Sequence, residues 1–550
     1  MPTACPTTSS SFSGATPAVV ATASTAEQAL LAACWFSLAI VLIYGMHRAS
    51  LAWRFLRTRR LSQPIEHSAW QPTGSRSDAP SDASATPVGT TAKASGNAPA
   101  ADGDLPPVTV QIPLFNESPV AARVIDAVCQ LDYPRHRLQV QVLDDSTDDC
   151  ARIASERAAT WRARGVDISI IHRDHRTGYK AGALAHALPQ AKGQFIAVFD
   201  ADFVPSRDFL LRMLPPFADP RVGMAQARWT HLNRDESPLT RAQAVLLDGH
   251  FLIEHPARHR CGCFFNFNGT AGLWRREVLQ STHTTWEADT LTEDLDISYR
   301  AQLAGWKFVY LPHVACPAEL PTTFAAFKSQ QHRWSTGAVQ VARKLLGRVL
   351  RSALPWHVKC EAFFHLTYPF ASLAVLVLAA LLLPMLAVGA ARPWLAWLGV
   401  AAMLLTLVST CGYYGLSQRI QGRRWRDVCF DLPLVMMLGV GMSVTSARAV
   451  FAALLRKGIP FARTPKRGST PVRRPRPREL LFAMAEIALG LNAGYAAARV
   501  LAEAGAAPGL LLLVLVATGF LWVGVGTLAS ALHFRRLPAP AAAALEQAAK

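Results

Sequence analysis

The sequence predicts an α/β domain with a mixed, mostly parallel sheet, inserted between apolar helices able to cross a membrane. Three observations lead there: β-rich runs alternate with helical stretches from residue 108 onward, acidic motifs follow two of those runs directly, and long apolar segments lie on both sides. A chain of 550 residues exceeds what one core organises, and 51% hydrophobic against 17% charged residues fits a membrane protein with one sizeable soluble domain. The net charge of +18 would suit nucleic acid, but the arginines cluster beside apolar segments, where cytoplasmic anchoring accounts for them. No nucleic-acid partner is therefore expected.

Taken in order, residues 1–28 read as a disordered tail, because their start is rich in Ala, Ser and Thr and lacks the basic region of a signal peptide. Residues 29–46 are apolar enough to form a first transmembrane helix. Arg48, Arg54, Arg57, Arg59 and Arg60 follow, which places the next domain inside. Residues 47–106 then form a basic juxtamembrane segment and a linker with too few large apolar groups to offset chain entropy. The runs 108–113, 138–143, 168–171 and 195–199 are rich in β-branched and apolar residues, and 151–164 is helical in pattern. Such alternation implies a parallel, nucleotide-binding sheet within a cytosolic domain, 107–345.

Beyond it, 346–478 is expected to hold interfacial helices, two spans at about 363–388 and 394–416, and a basic loop at 459–470. Residues 479–533 supply two further spans, and 534–550 a cytosolic tail. The stretch 428–455 is apolar but contains Asp431, Pro433 and Arg448 and has basic flanks, so it is expected to lie along the membrane surface or re-enter, giving five crossings. Ten dispersed cysteines do not resemble a disulfide framework. His255, His259, Cys261 and Cys263 match no common zinc spacing, and packing or a loop thiol is the reading there.

The acidic motifs carry the chemistry. Asp200-Ala-Asp202 follows an apolar strand, where hard carboxylate oxygens can hold Mg²⁺ or Mn²⁺ against a nucleotide diphosphate; an acidic pair can also merely solvate a turn. Asp144 and Asp145 end another strand and can accept hydrogen bonds from a base edge or ribose, or cap the helix that follows. Lys180, in a glycine-flanked turn, can contact phosphates or simply face solvent. Thr292-Glu293-Asp294 opens a helix, where one carboxylate can serve as catalytic base; a capping box shows the same pattern. Gln330, Arg333 and Trp334 share a helix face, with Trp able to stack on a sugar and Arg to neutralise a leaving diphosphate, although an interfacial Trp-Arg belt looks similar. In this order the groups read as a sugar-transferring site.

From about residue 108 to the last span the chain resembles the family 2 membrane-bound processive glycosyltransferases. Gln111-Ile-Pro-Leu-Phe-Asn-Glu117, Val142-Leu-Asp-Asp-Ser-Thr-Asp148, Phe199-Asp-Ala-Asp-Phe203, Thr292-Glu-Asp294 and Gln330-Gln-His-Arg-Trp334 look most like the mannan and glucomannan branch of the cellulose-synthase-like enzymes. The resemblance implies an A-type glycosyltransferase fold and inverting transfer from UDP-glucose or GDP-mannose, with the β-linked product passed across a bacterial-type inner membrane. It implies that Asp145 with Asp144 holds the nucleotide, that Lys180, Asp200 and Asp202 serve the diphosphate and metal, and that Arg333 lies at the leaving group. Asp294 would be the base, and Glu293, Gln330, Trp334 and the turn containing Gly269 and Thr270 would meet the acceptor. Residues 459–470 resemble the family's gating loop, with Thr464 and Lys466 reaching the phosphates, although Arg463 replaces the usual Val. Membrane lipids and accessory secretion subunits are the implied partners. The competing reading is single transfer to a diacylglycerol or ceramide-like lipid; the aromatics Trp394, Trp397, Tyr413, Tyr414 and Trp522 suit a glycan path but also interface anchoring.

Overall fold

Seven strands form one sheet in the order β3-β2-β1-β4-β6-β5-β7. They are β1 Val108–Leu114, β2 Leu138–Asp144, β3 Asp167–His172, β4 Phe195–Val198, β5 Val222–His231, β6 Gly272–Arg275 and β7 Lys307–Ala318. All neighbours are parallel except β6, which runs antiparallel to both β4 and β5. This is the mixed, mostly parallel sheet that the strand and helix alternation predicts. The computed structural model describes residues 25–59, 105–391, 393–456, 477–504 and 508–535.

The central strands are buried on both faces, which explains their apolar content. Their polar members are paired within the sheet: β1 and β2 run in register, and there the Thr109 hydroxyl donates to Gln139 Oε1 at 2.8 Å and Gln111 Nε2 to Gln141 Oε1 at 2.9 Å. These bonds pair most of the buried amide groups across the strands, although Gln111 Oε1 has no hydrogen-bond partner among the described residues. One apolar layer joins the sheet to the helices Ser118–Cys129 and Cys150–Ala163, and a second joins it to Tyr179–Ala187. Strand order reverses around β1, so the carboxyl ends of β1, β2 and β4 open a crevice there.

The flanking helices depart from expectation in extent. The first runs unbroken over Thr25–Arg59, since no helix breaker separates its apolar part from the arginines, and its last turns dock on the domain. Leu51 and Phe55 pack there against Val245, Ile253 and Ala257. The expected span 363–388 is broken. Helices Trp356–Thr367 and Pro369–Ala380 meet at 55°, where Pro369 withholds a backbone donor, and Leu382–Ala391 follows a second break. The expected span 394–416 lies within Pro393–Ile420, and the last two within Pro477–Ala504 and Pro508–Arg535.

Trp425–Leu455 is long and apolar enough to cross a membrane, as are four other helices, with the bent pair as a sixth candidate. Yet both of its ends touch the α/β domain. Near its start Asp431 pairs with Arg234 at 2.6 Å and Arg241 at 2.5 Å; near its end Arg343 donates to the Ala453 carbonyl at 2.5 Å, and Val450 and Ala453 pack on Val339. The tail before residue 25, the linker, the residues after 535 and the loop 459–470 with Thr464 and Lys466 lie outside the described residues.

Candidate active site

The crevice at the carboxyl ends of the strands is a cavity of ≈ 150 Å³ that gathers nearly every group singled out in the sequence. Asp145, Lys180, Asp200, Asp202, Gly269, Glu293, Asp294, Gln330, Arg333 and Trp334 all line it. Asp145 arrives from the end of β2, Asp200 and Asp202 from the turn after β4, Glu293 and Asp294 from the start of the helix Glu293–Leu303, and the last three from the helix Phe324–Val341. Asp144 and Thr270 are not on the wall. Asp144 is buried and accepts from the Ser146 N–H at 3.1 Å, while the Thr270 hydroxyl accepts from the Asp200 N–H at 2.9 Å, so both brace the turns that carry their neighbours.

Lys180 sits at the centre. Its ammonium donates to Asp200 Oδ1 at 2.5 Å and to the Gly269 carbonyl at 2.7 Å. Burial alone would lower this group, but the Asp200, Glu293 and Asp294 carboxylates outweigh it and hold the ammonium above its ordinary value. Lys180 is therefore a fixed positive charge. Gly269 has φ +83, and a Cβ there would lie 3.1 Å from Asp294 Oδ2, so this turn requires glycine twice over.

Asp294 carries the strongest electrostatic signature of the wall. Burial first, then the adjacent Glu293 charge, push its carboxyl up to about 7, against the opposing pull of Lys180, the Leu295 N–H and Arg333. The capping box that this motif could have formed does not form: Thr292 is the N-cap residue without a side-chain cap bond, and Asp294 Oδ1 instead accepts from the Leu295 N–H at 2.8 Å. Thr292 packs against Gly337 so closely that a Cβ on Gly337 would lie 2.3 Å from its hydroxyl oxygen. Gly337 thus lets the helix bearing Arg333 and Trp334 approach the helix bearing Asp294.

On the opposite wall Asp145 is held by Arg173 through Nε at 2.8 Å and Nη2 at 2.5 Å, and Arg173 also donates to the carbonyls of Thr177 and Tyr179. Arg176 lies 3.4 Å over the Phe115 ring, and both line the cavity. The sequence reading missed Arg173 and Arg176 and gave Phe115, which lies in the motif Gln111–Glu117, no role of its own. A signal existed: the His-Arg-Asp-His-Arg run follows β3, which neighbours β2 and so places cations beside Asp145. Capping near the helix Cys150–Ala163 falls to Asp148, which accepts from the Cys150 N–H at 2.9 Å, leaving Asp145 to the cavity.

The His255 to Cys263 cluster holds no metal constellation. His255 is buried and bonds Asn268 Oδ1 at 2.6 Å, and the acidic group with metal-compatible spacing among the described residues is Glu287, Asp289 and Asp296, whose charge Lys344 meets. Asp200 and Asp202, by contrast, place two hard carboxylates on the cavity wall, a donor set that fits Mg²⁺ or Mn²⁺.

Residues 106–337 match the family model described as glycosyltransferase like family 2. This domain belongs to that family. The match covers the whole sheet and every wall of the cavity up to Trp334, and its fold is the A-type glycosyltransferase fold. Over 255 residues the chain is 45% identical to glucomannan 4-beta-mannosyltransferase 1 of Oryza sativa subsp. japonica, covering 45% of this chain and 48% of that protein. Over 254 residues it is 42% identical to glucomannan 4-beta-mannosyltransferase 2 of Arabidopsis thaliana, covering 45% and 47%. The chain spans about half the length of the curated relatives it matches. Among solved structures, a mannosyltransferase from Pyrobaculum calidifontis in complex with GDP-Man and Mn²⁺ is 20% identical with a TM-score of 0.48, covering 76% of this chain and 99% of that one.

Proposed function

We propose that this glycosyltransferase polymerises mannosyl units from GDP-mannose, or glucosyl units from UDP-glucose, into a β-linked glycan and conducts the product through its own apolar helices. One observation carries the proposal. A second cavity, ≈ 790 Å³, shares Trp229, Asn268, Thr292, Asp294 and Trp334 with the first and continues between residues such as Leu38, Val41, Leu386, Met403 and Val516 of the flanking helices. The acceptor end of the active site is therefore the mouth of a passage lined by candidate membrane spans.

In this reading Asp145, braced by Arg173, faces the nucleoside, and Asp200 and Asp202 would hold a Mg²⁺ or Mn²⁺ ion. That ion supplies charge neutralisation for the departing diphosphate. Lys180 and Arg333 add fixed cations at the same end. Trp334 offers its face to the acceptor sugar, and ionised Asp294 takes the hydroxyl proton as that oxygen attacks the anomeric carbon from the side opposite the leaving group. The new glycosidic bond replaces the sugar–phosphate bond with inversion.

The catalytic domain lies on the cytosolic side, and residues 425–455 run along the domain face at the membrane surface. About 33 Å of helix separates Asp431 from Ala453, yet both ends meet the same domain, which supports a path along the surface over a perpendicular crossing. Five crossings remain, with the bent pair as one of them, and the arginines at 419–426 stay beside those at 54–59 on one side. Purified protein given labelled GDP-mannose or UDP-glucose in detergent should yield a ladder of long saccharides. A single lipid-soluble product would overturn the proposal in favour of lipid glycosylation.

A further inference from the structure

The helix Phe324–Val341 presents Gln330, Arg333 and Trp334 to the active-site cavity, and another side of it meets the apolar helices. Lys328 and Arg333 are five residues apart, which at 3.6 residues per turn sets them about 140° apart around the axis. On the side away from the cavity, Phe324 and Phe327 share an apolar cluster with Leu438, Met442 and Val523, and the Phe324 ring meets Trp522 edge-on at 5.5 Å. A Cβ on Gly526 would clash with the Phe324 ring, so the last apolar helix, Pro508–Arg535, reaches this side through a glycine.

An ion pair lies within these apolar contacts. Lys328 Nζ donates to Glu486 Oε2 at 2.6 Å, with the two side chains 13% and 0% exposed. Glu486 belongs to the helix Pro477–Ala504, which is long and apolar enough to cross a membrane, and its Oε1 has no hydrogen-bond partner among the described residues. Its helix has no room to shift toward the last one: a Cβ on Gly524 would lie 3.1 Å from Glu486 Cβ and 3.0 Å from the Ala483 carbonyl oxygen. One turn before Glu486, the Arg448 guanidinium stacks 3.5 Å over the Phe482 ring.

The lost hydration of two buried charges can exceed what their attraction returns, so such a pair contributes little net stability. What it contributes is direction. Apolar contacts let neighbouring helices slide, whereas a charge-assisted bond fixes one side chain against another in height and rotation. From Lys328 to Trp334 the helix is unbroken, so a shift at Lys328 is carried to Arg333 and Trp334. We propose that Glu486, acting through Lys328, is a positioning residue for sugar transfer: it sets the helix Phe324–Val341 against the apolar helices and so holds Arg333 and Trp334 in place at the cavity. The inference rests on the roles proposed above for Arg333 and Trp334 and adds the group that places them.

The test is the double variant Lys328→Met/Glu486→Gln, which removes both charges at nearly constant volume and leaves neither one buried alone. Turnover of GDP-mannose and UDP-glucose, binding of GDP and UDP, and thermal unfolding would be measured on the full chain in detergent, with Trp334→Ala alongside. The double variant should melt at or above the wild-type temperature while kcat falls about tenfold and nucleotide binding is unchanged. A structural pair would not separate turnover from stability in this way. Wild-type kcat in the folded double variant overturns the inference, as does a loss of kcat that comes with a lower melting temperature and weaker nucleotide binding. If the double variant does not fold, Glu486→Asp decides: it keeps the charge but draws it back by one methylene, so kcat should fall several-fold, and wild-type kcat overturns the inference. Unchanged turnover in Trp334→Ala instead overturns the roles given to that helix, which separates the two failures.

Discussion

Replacing Asp294 with Asn is expected to remove transfer and stabilise the protein at the same time. The carboxyl is raised from 3.8 to about 7, chiefly by burial, which disfavours its charged form by on the order of 4 kcal/mol. Since the folded state binds this proton more tightly than the unfolded chain, stability falls as pH rises from about 4, and the loss is complete above about 7. Asn carries no charge and keeps an oxygen to accept from the Leu295 N–H. The variant should therefore melt several degrees above wild type near pH 8.5, with the gap closing toward pH 5. Transfer should fall by roughly 10²–10⁴-fold while nucleotide binding persists, because only the proton acceptor is lost. Wild-type turnover should itself rise through about pH 7 as the base ionises. The assay is thermal unfolding of the full chain at both pH values, alongside turnover and equilibrium binding of GDP and UDP. Unchanged turnover would refute Asp294 as the base, and equal destabilisation at both pH values would refute the burial argument.

Three further outcomes are expected. Chelation with EDTA should abolish transfer and added Mn²⁺ or Mg²⁺ restore it, whereas Asp202→Asn should stay inactive at any metal concentration; full activity in EDTA would contradict a metal at Asp200 and Asp202. Gly337→Ala should place a Cβ 2.3 Å from the Thr292 hydroxyl oxygen and displace the Asp294 helix, lowering kcat at least tenfold in a protein that still binds nucleotide, and wild-type kcat would show the approach to be slack. Lys466→Ala should raise the donor KM several-fold if the loop 459–470 reaches the phosphates, and unchanged donor kinetics would leave it a basic tether.

The sheet and the acidic walls were legible because each rests on local chemistry. Apolar strands ending in Asp145 and Asp200 announce a strand-end site, and Gln330, Arg333 and Trp334 share one helix face at helical spacing. What the sequence concealed was non-local. Arg173 looked like one of many basic residues until strand order set β3 beside β2. The broken span at Pro369 shows a different limit: hydropathy measures how apolar a segment is and not whether its backbone runs straight. Trp425–Leu455 shows the same limit in reverse, since its length and composition suit a crossing while Asp431 and Ala453 tie both ends to one domain.

The central claim, that synthesis at Asp294 feeds a passage through the protein's own helices, is tested most directly by the sidedness of the product. Proteoliposomes with the catalytic domain facing outward would be supplied with labelled GDP-mannose or UDP-glucose and then treated with a glycan hydrolase before and after detergent. The account predicts long saccharide that resists the hydrolase until the vesicles are opened. Polymer that is fully digested on intact vesicles, or label confined to a lipid-soluble product, would contradict it.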